Sequence, residues 1–185
     1  MKTEKQKMLS GLLYNAADAE LTNERLRTRL LLKEFNSTGE NYEARRKQVL
    51  KKLIPNAGSE FVVQSPFYCD YGTNIYAGNK VFFNFNCVVL DVMPVSIGSN
   101  TLIGPNVQIY TATHPMDYKE RALGLEFAKP VTIGTDVWIG GSTVICPGVT
   151  IGDRCVIGAG SVVIKDIPAG FFAAGNPCRV IREIT

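Results

Sequence analysis

The sequence predicts a mainly β protein of short strands stacked in successive coils, preceded by a helical segment. Three observations predict it. Small aliphatic residues recur every six positions at Ile133, Ile139, Ile145, Ile151, Ile157 and Val163, and Gly134, Gly140, Gly152 and Gly158 directly follow four of them. The same phase runs earlier through Ile97-Gly98, Ile103-Gly104 and Ile109, and before that through Val63, Cys69, Ile75, Val81 and Cys87. Ahead of Pro55 the six-residue period is absent and helical signals replace it.

Taken in order, the chain begins with Thr3 and Gln6, placed as a capping box, and continues with Leu26, Leu30 and Phe35 near helical spacing among Arg and Glu. A second helix is expected over about 41 to 53, with Val49, Leu50 and Leu53 as its apolar stripe and Arg45, Arg46, Lys51 and Lys52 as its wet face. The helical segment is expected to occupy 1–57 and the coils 58–185, ending in a C-terminal capping segment. Six is neither the 3.6 of a helix nor the sustained 2 of a long strand, so the coils need short strands separated by sharp bends. Each strand turns one aliphatic inward, and stacking the coils buries these in one column. The glycines fit the bends, where positive φ or close backbone approach excludes a Cβ. Between Cys87 and Ile97 the spacing is not a multiple of six, which predicts one altered turn there.

Composition narrows the function classes. At 185 residues the chain has the length of one domain, and a net charge of +3 with dispersed basic residues does not argue for a nucleic-acid or membrane surface. Charges run through the N-terminal stretch and no long apolar run follows, so a soluble, cytoplasmic protein is expected. Five cysteines at 69, 87, 146, 155 and 178 form neither a C-x-x-C pair nor a His/Cys cluster, so all are expected to be reduced and no metal to be required.

The chain contains a single histidine, His114, and it stands where the six-residue pattern breaks. Between Ile109 and Ile133 the repeat is interrupted, and the polar, charged segment from Pro115 to Pro130 is expected to protrude as a loop. A long insertion in a compact repeat is usually functional.

The repeats, together with "DYGTNI", "FFNFN", "YTATHP", "VWIGG", "IGAGSVVIKDIPAG" and "GNPCRVIRE", resemble the maltose and galactoside O-acetyltransferases of the hexapeptide family over almost the whole chain. The resemblance implies a left-handed parallel β-helix with three hexapeptides per coil, a homotrimer, acetyl-CoA as donor and a sugar hydroxyl as acceptor. It also implies that His114 is the general base for direct attack on the thioester, a role suited to neutral imidazole. No cysteine or serine pairs with it in the sequence, which disfavours a covalent acetyl-enzyme.

By the same resemblance Asn84 supplies the oxyanion hydrogen bond or holds the acceptor, with Asn86 as the nearby alternative. Asp18, Asp70 and Asp91 are nominated for the acceptor hydroxyls, each alternatively in a plain turn or cap role; Glu126 in the loop either orients His114 or touches substrate. For CoA, Lys165, Arg179 and Arg182 match phosphate contacts, while Gly141, Ala159, Gly160 and Ile164 flank the expected pantetheine path. Gly141 departs from the serine common among the galactoside enzymes. Trp138 either lines the thioester channel or packs between subunits. A γ-type carbonic anhydrase would need three histidines on a metal, and a nucleotidyltransferase fusion would need a further domain, so both are set aside. An acetyltransferase for a non-sugar hydroxyl or an amine, and a non-catalytic scaffold, stay as alternatives.

Overall fold

The computed structural model describes residues 1–184. Parallel strands line three faces of a solenoid. The first face holds Asn56–Ala57, Ile75–Ala77, Val95–Ile97, Val131–Ile133 and Thr150–Ile151. The second holds Val62–Val63, Phe82–Phe83, Leu102–Ile103, Trp138–Ile139, Val156–Ile157 and Phe171–Ala174, closed by the antiparallel strand Arg179–Glu183. The third holds Phe67–Cys69, Cys87–Leu90, Gln108–Tyr110, Val144–Ile145 and Val162–Val163.

The six-residue period is the inward column. Ile133, Ile139, Ile145, Ile151, Ile157 and Val163 are at most 1% exposed, and each contributes roughly 1.5–3 kcal/mol by leaving water. The glycines behind them serve close approach: a Cβ on Gly134 would lie 2.6 Å from the Asp153 backbone nitrogen in the next coil. The left-handed bends fall largely on other residues, among them Asn86 (φ 60°) and Asn106 (φ 59°), whose side chains bond at 2.7 Å. Asparagine tolerates that conformation better than most residues.

The strand register corrects the position of the slip. Val63 stacks on Phe83 and Ile103, and Cys69 on Val89 and Ile109, so each of the first two coils has 20 residues. Later coils repeat at 18, as from Ile139 to Ile157. The extra pair recurs twice, between Cys69 and Ala77 and between Val89 and Ile97. Ile75, Val81 and Cys87 are buried, but they stand two residues before the stacking positions Ala77, Phe83 and Val89. Both expansions, and the long interruption after Ile109, fall at the corner between the third and first faces.

Three helices precede the coils: α1 (Glu4–Leu9), α2 (Ala19–Ser37) and α3 (Glu43–Leu53). The Thr3/Gln6 capping box is formed, and Val49, Leu50 and Leu53 are the buried stripe of α3. Helix α2 buries Leu21, Thr28, Leu32 and Phe35. Leu26 and Leu30 lie off that face, 55% and 61% exposed in the single chain, contrary to the expected stripe. Arg46 is not on a wet face either. Its guanidinium bonds to the Thr38 carbonyl (2.7 Å) and the Ser65 hydroxyl (2.8 Å) and stacks on Phe35, tying α2, α3 and the first coil together. Leu32, Phe35, Val49 and Leu53 thereby join one core with the coils.

The interruption forms a folded arm. It carries α4 (Tyr118–Arg121) and the strand Leu125–Ala128, which pairs antiparallel with Ala112–Thr113 on one side and with Tyr14–Asn15 on the other. Neither the arm strand nor Tyr14–Asn15 has a recognisable sequence period, because each is too short to show one. All five cysteines are free thiols, and Cys69, Cys87, Cys155 and Cys178 are buried. Among the described residues no helix is long and apolar enough to cross a membrane, and no group of three or more His, Cys, Asp or Glu is placed to hold a metal.

Candidate active site

The expanded corner is a platform built from the coil below upward. Asp91, 0% exposed, accepts the backbone N–H groups of Asp70 (3.0 Å), Tyr71 (2.9 Å) and Asn74 (3.3 Å) from the preceding coil. One coil higher, the buried Thr111 hydroxyl donates to the Leu90 carbonyl and accepts the Met93 N–H. Burial pushes the Asp91 pKa up to about 7, against the opposing pull of the Tyr71 and Asn74 N–H groups. The structure therefore removes Asp91 from the acceptor-binding set: its carboxylate is turned into the corner and used by backbone.

Asp70 differs. It is half-buried and its carboxylate accepts no hydrogen bond within the described residues. Burial raises its pKa, Arg25 and Arg29 pull it down, and the nearby Glu126 carboxylate raises it further. Asp70 thus lies near both Glu126 and Arg25. Arg25 is held by the Tyr71 hydroxyl (2.7 Å) and the Ala16 carbonyl (2.6 Å), and Glu126 accepts the Tyr14 hydroxyl at 2.8 Å. Asp18 is the N-cap of α2, where one carboxylate oxygen accepts from Glu20 and Leu21 N–H (3.0 and 3.4 Å), so the cap alternative is realised.

His114 directly follows the strand Ala112–Thr113 and is exposed. That strand pairs Ala112 with Ala128 and Thr113 with Phe127. His114 thus follows the last paired residue, Thr113, whose partner Phe127 adjoins Glu126. One corner thus gathers His114, Asp70, Glu126, Arg25, Tyr71 and Tyr14. The last two and Arg25 are absent from the residues that sequence reasoning nominates, since a lone Arg in a helix, or a lone Tyr off the six-residue phase, carries no spacing signal.

Asn84 lies elsewhere, at the corner between the second and third faces. Its side-chain oxygen accepts the Phe85 N–H at 2.7 Å, which leaves its amide N–H groups as the free donors. Asn86, the alternative, is occupied with Asn106 in the turn. Gly141, Ala159 and Gly160 stack above Asn84 at the same corner; Gly141 is half-buried and the other two are exposed. Trp138, 55% exposed, points outward from the second face between Leu102 and Val156. Arg179 and Arg182 lie on the closing strand of that face, while Ile164 and Lys165 are exposed just past the last strand of the third. Among the described residues Lys165, Arg179 and Arg182 enter no ion pair within 4.0 Å.

A parallel solenoid of hexapeptides that carries its only histidine at an expanded corner defines a hexapeptide-repeat transferase. Residues 7–58 match the maltose acetyltransferase hexapeptide capping motif, and residues 130–165 match the bacterial transferase hexapeptide, six repeats. The fold superposes on a maltose O-acetyltransferase from Clostridium difficile 630 with a TM-score of 0.98 and 49% identity, covering 100% of this chain and 98% of that one. It superposes on a galactoside acetyltransferase in complex with coenzyme A with a TM-score of 0.97 and 42% identity, covering 100% and 92%. The sequence is 43% identical to galactoside O-acetyltransferase of Escherichia coli (strain K12) over 179 residues, 97% of this chain and 88% of that protein. The chain belongs to the maltose and galactoside O-acetyltransferase family of hexapeptide-repeat acyltransferases.

Proposed function

We propose that the protein transfers acetyl from acetyl-CoA to a hydroxyl of a sugar, in a site completed by a second copy of the chain within a homotrimer. The observation that carries this reading is that His114 and Asn84 stand at different corners of one solenoid. A face of six extended residues spans up to about 20 Å, too far for base and oxyanion donor to meet on one thioester. Packing the faces of three copies around a threefold axis brings one copy's His114 corner to the next copy's Asn84 corner.

In that arrangement Asp70 and Glu126 accept acceptor hydroxyl protons in hydrogen bonds. His114 removes the proton of the reacting hydroxyl as its oxygen attacks the thioester carbonyl. The Asn84 amide donates to the oxyanion of the tetrahedral intermediate. Collapse breaks the C–S bond, and imidazolium returns the proton to the departing CoA thiolate. Lys165, Arg179 and Arg182 meet CoA phosphates, and the small Gly141, Ala159 and Gly160 give pantetheine access to the backbone.

Free-thiol release from acetyl-CoA, with maltose, glucose and galactosides as acceptors, tests the chemistry. Co-assembly tests the shared site: H114A and N84A are each inactive, but mixed at random they restore about one quarter of the sites. Absence of any recovery in confirmed mixed trimers refutes the shared site.

A further inference from the structure

Tyr14 is 1% exposed, and its hydroxyl reaches across from the N-terminal segment to the arm, 112 residues away in sequence, to donate to Glu126. The two residues are directly paired in the antiparallel register, so their side chains share one face of the small sheet. On the other side of the arm strand, Phe127, next to Glu126, pairs with Thr113, the residue just before His114. The arm strand thus joins the strand of Tyr14 to the strand that ends one residue before His114. Burial and the adjacent Glu126 carboxylate hold the Tyr14 pKa well above the ordinary tyrosine range, so it serves as a donor at any working pH. The bond takes up Glu126 Oε2, and no hydrogen bond within the described residues engages the other oxygen, Oε1.

We propose that Tyr14 is a positioning residue for acetyl transfer: by holding Glu126 it fixes the arm strand against the strand that ends just before His114, so the N-terminal segment completes the acceptor side of the site. This rests on the acetyl-transfer reading. Tyr14 touches neither reacting atom and acts through Glu126. A phenyl ring at this position keeps the buried volume and loses only the hydroxyl.

The test is a double-mutant cycle on the full chain, with kcat and KM for both substrates measured for wild type, Y14F, E126A and the double variant. Expected is a drop in kcat of about tenfold for Y14F, with KM for acetyl-CoA unchanged and Tm within about 2 °C of wild type. In the E126A background the same substitution removes nothing further. A kcat for Y14F within twofold of wild type overturns the proposal. Equal losses in both backgrounds also overturn it, because they show an effect that does not pass through Glu126. Wild-type protein that acetylates none of the hydroxyl acceptors overturns the acetyl-transfer reading and this inference with it, an outcome separable from an active wild type with an unaffected Y14F.

Discussion

Replacing Asp91 tests whether the expanded corner is held by one carboxylate. Asp91→Ala removes the acceptor of three backbone N–H groups at once, that of Tyr71 buried and those of Asp70 and Asn74 half-buried. A buried donor left unpaired costs about 1–3 kcal/mol, so the sum is about 3–6 kcal/mol after partial relaxation. Asp91→Asn keeps the oxygen that serves Asp70 and Tyr71 and turns an amide N–H toward Asn74, exposing one donor instead of three, for about 1–3 kcal/mol. The sign with pH is equally definite. A folded pKa near 7, against an ordinary aspartate value of 3.8, means that the folded form holds a proton the unfolded chain has released. Stability from this group is therefore full below about pH 4 and declines as pH rises to 7, by about 4 kcal/mol. Urea unfolding at fixed protein concentration, at pH 5 and pH 8, measures both effects. Asp91→Ala within 1 kcal/mol of wild type, or equal losses for the two variants, would refute the reasoning; so would an Asp91→Asn protein whose stability keeps the wild-type slope between pH 5 and pH 8.

Other perturbations separate chemistry, donor binding and packing. His114→Ala lowers sugar-dependent thiol release by at least about 100-fold while the Tm stays at the wild-type value, since the side chain is exposed. Alanine at Lys165, Arg179 or Arg182 raises KM for acetyl-CoA by about 5–50-fold, more at low salt than at high salt, with kcat changed less than about twofold. Arg46→Ala, which frees the Thr38 carbonyl, the Ser65 hydroxyl and the Phe35 ring face, lowers unfolding free energy by about 2–4 kcal/mol, and Arg46→Lys recovers little of it. Gly134→Ala places a methyl 2.6 Å from the Asp153 nitrogen and costs about 1–3 kcal/mol in denaturant titration.

The inward column is legible in the amino-acid sequence because each coil repeats the same three demands at the same spacing, and no other element has that period. The corners resist reading for the opposite reason. An extra pair of residues leaves Ile75, Val81 and Cys87 buried, so aliphatic identity alone does not reveal that the stacking position has moved to Ala77, Phe83 and Val89. Asp91 and Asp70 are the same residue type at the same corner, yet one is turned inward onto backbone and the other accepts no hydrogen bond among the described residues. Composition does not encode that difference; the register does. Leu26 and Leu30 have helical spacing but lie off the face that Leu21, Thr28, Leu32 and Phe35 present to the coils. The small sheet is illegible because its partners, Tyr14 and Glu126, are brought together only by the finished solenoid.

That long separation also sets an order in time. While the chain is being synthesised, the segment around Tyr14 emerges early but has no strand partner until the arm strand ending at Ala128 follows, 112 residues after it in the case of Glu126. At about 5–20 residues per second the wait is roughly 5–20 s. Helices α2 and α3 and the first two coils can pack during that interval, since their contacts are nearer in sequence. The earliest-made strand is therefore among the last to dock, and the histidine corner becomes complete only after most of the scaffold beneath it exists.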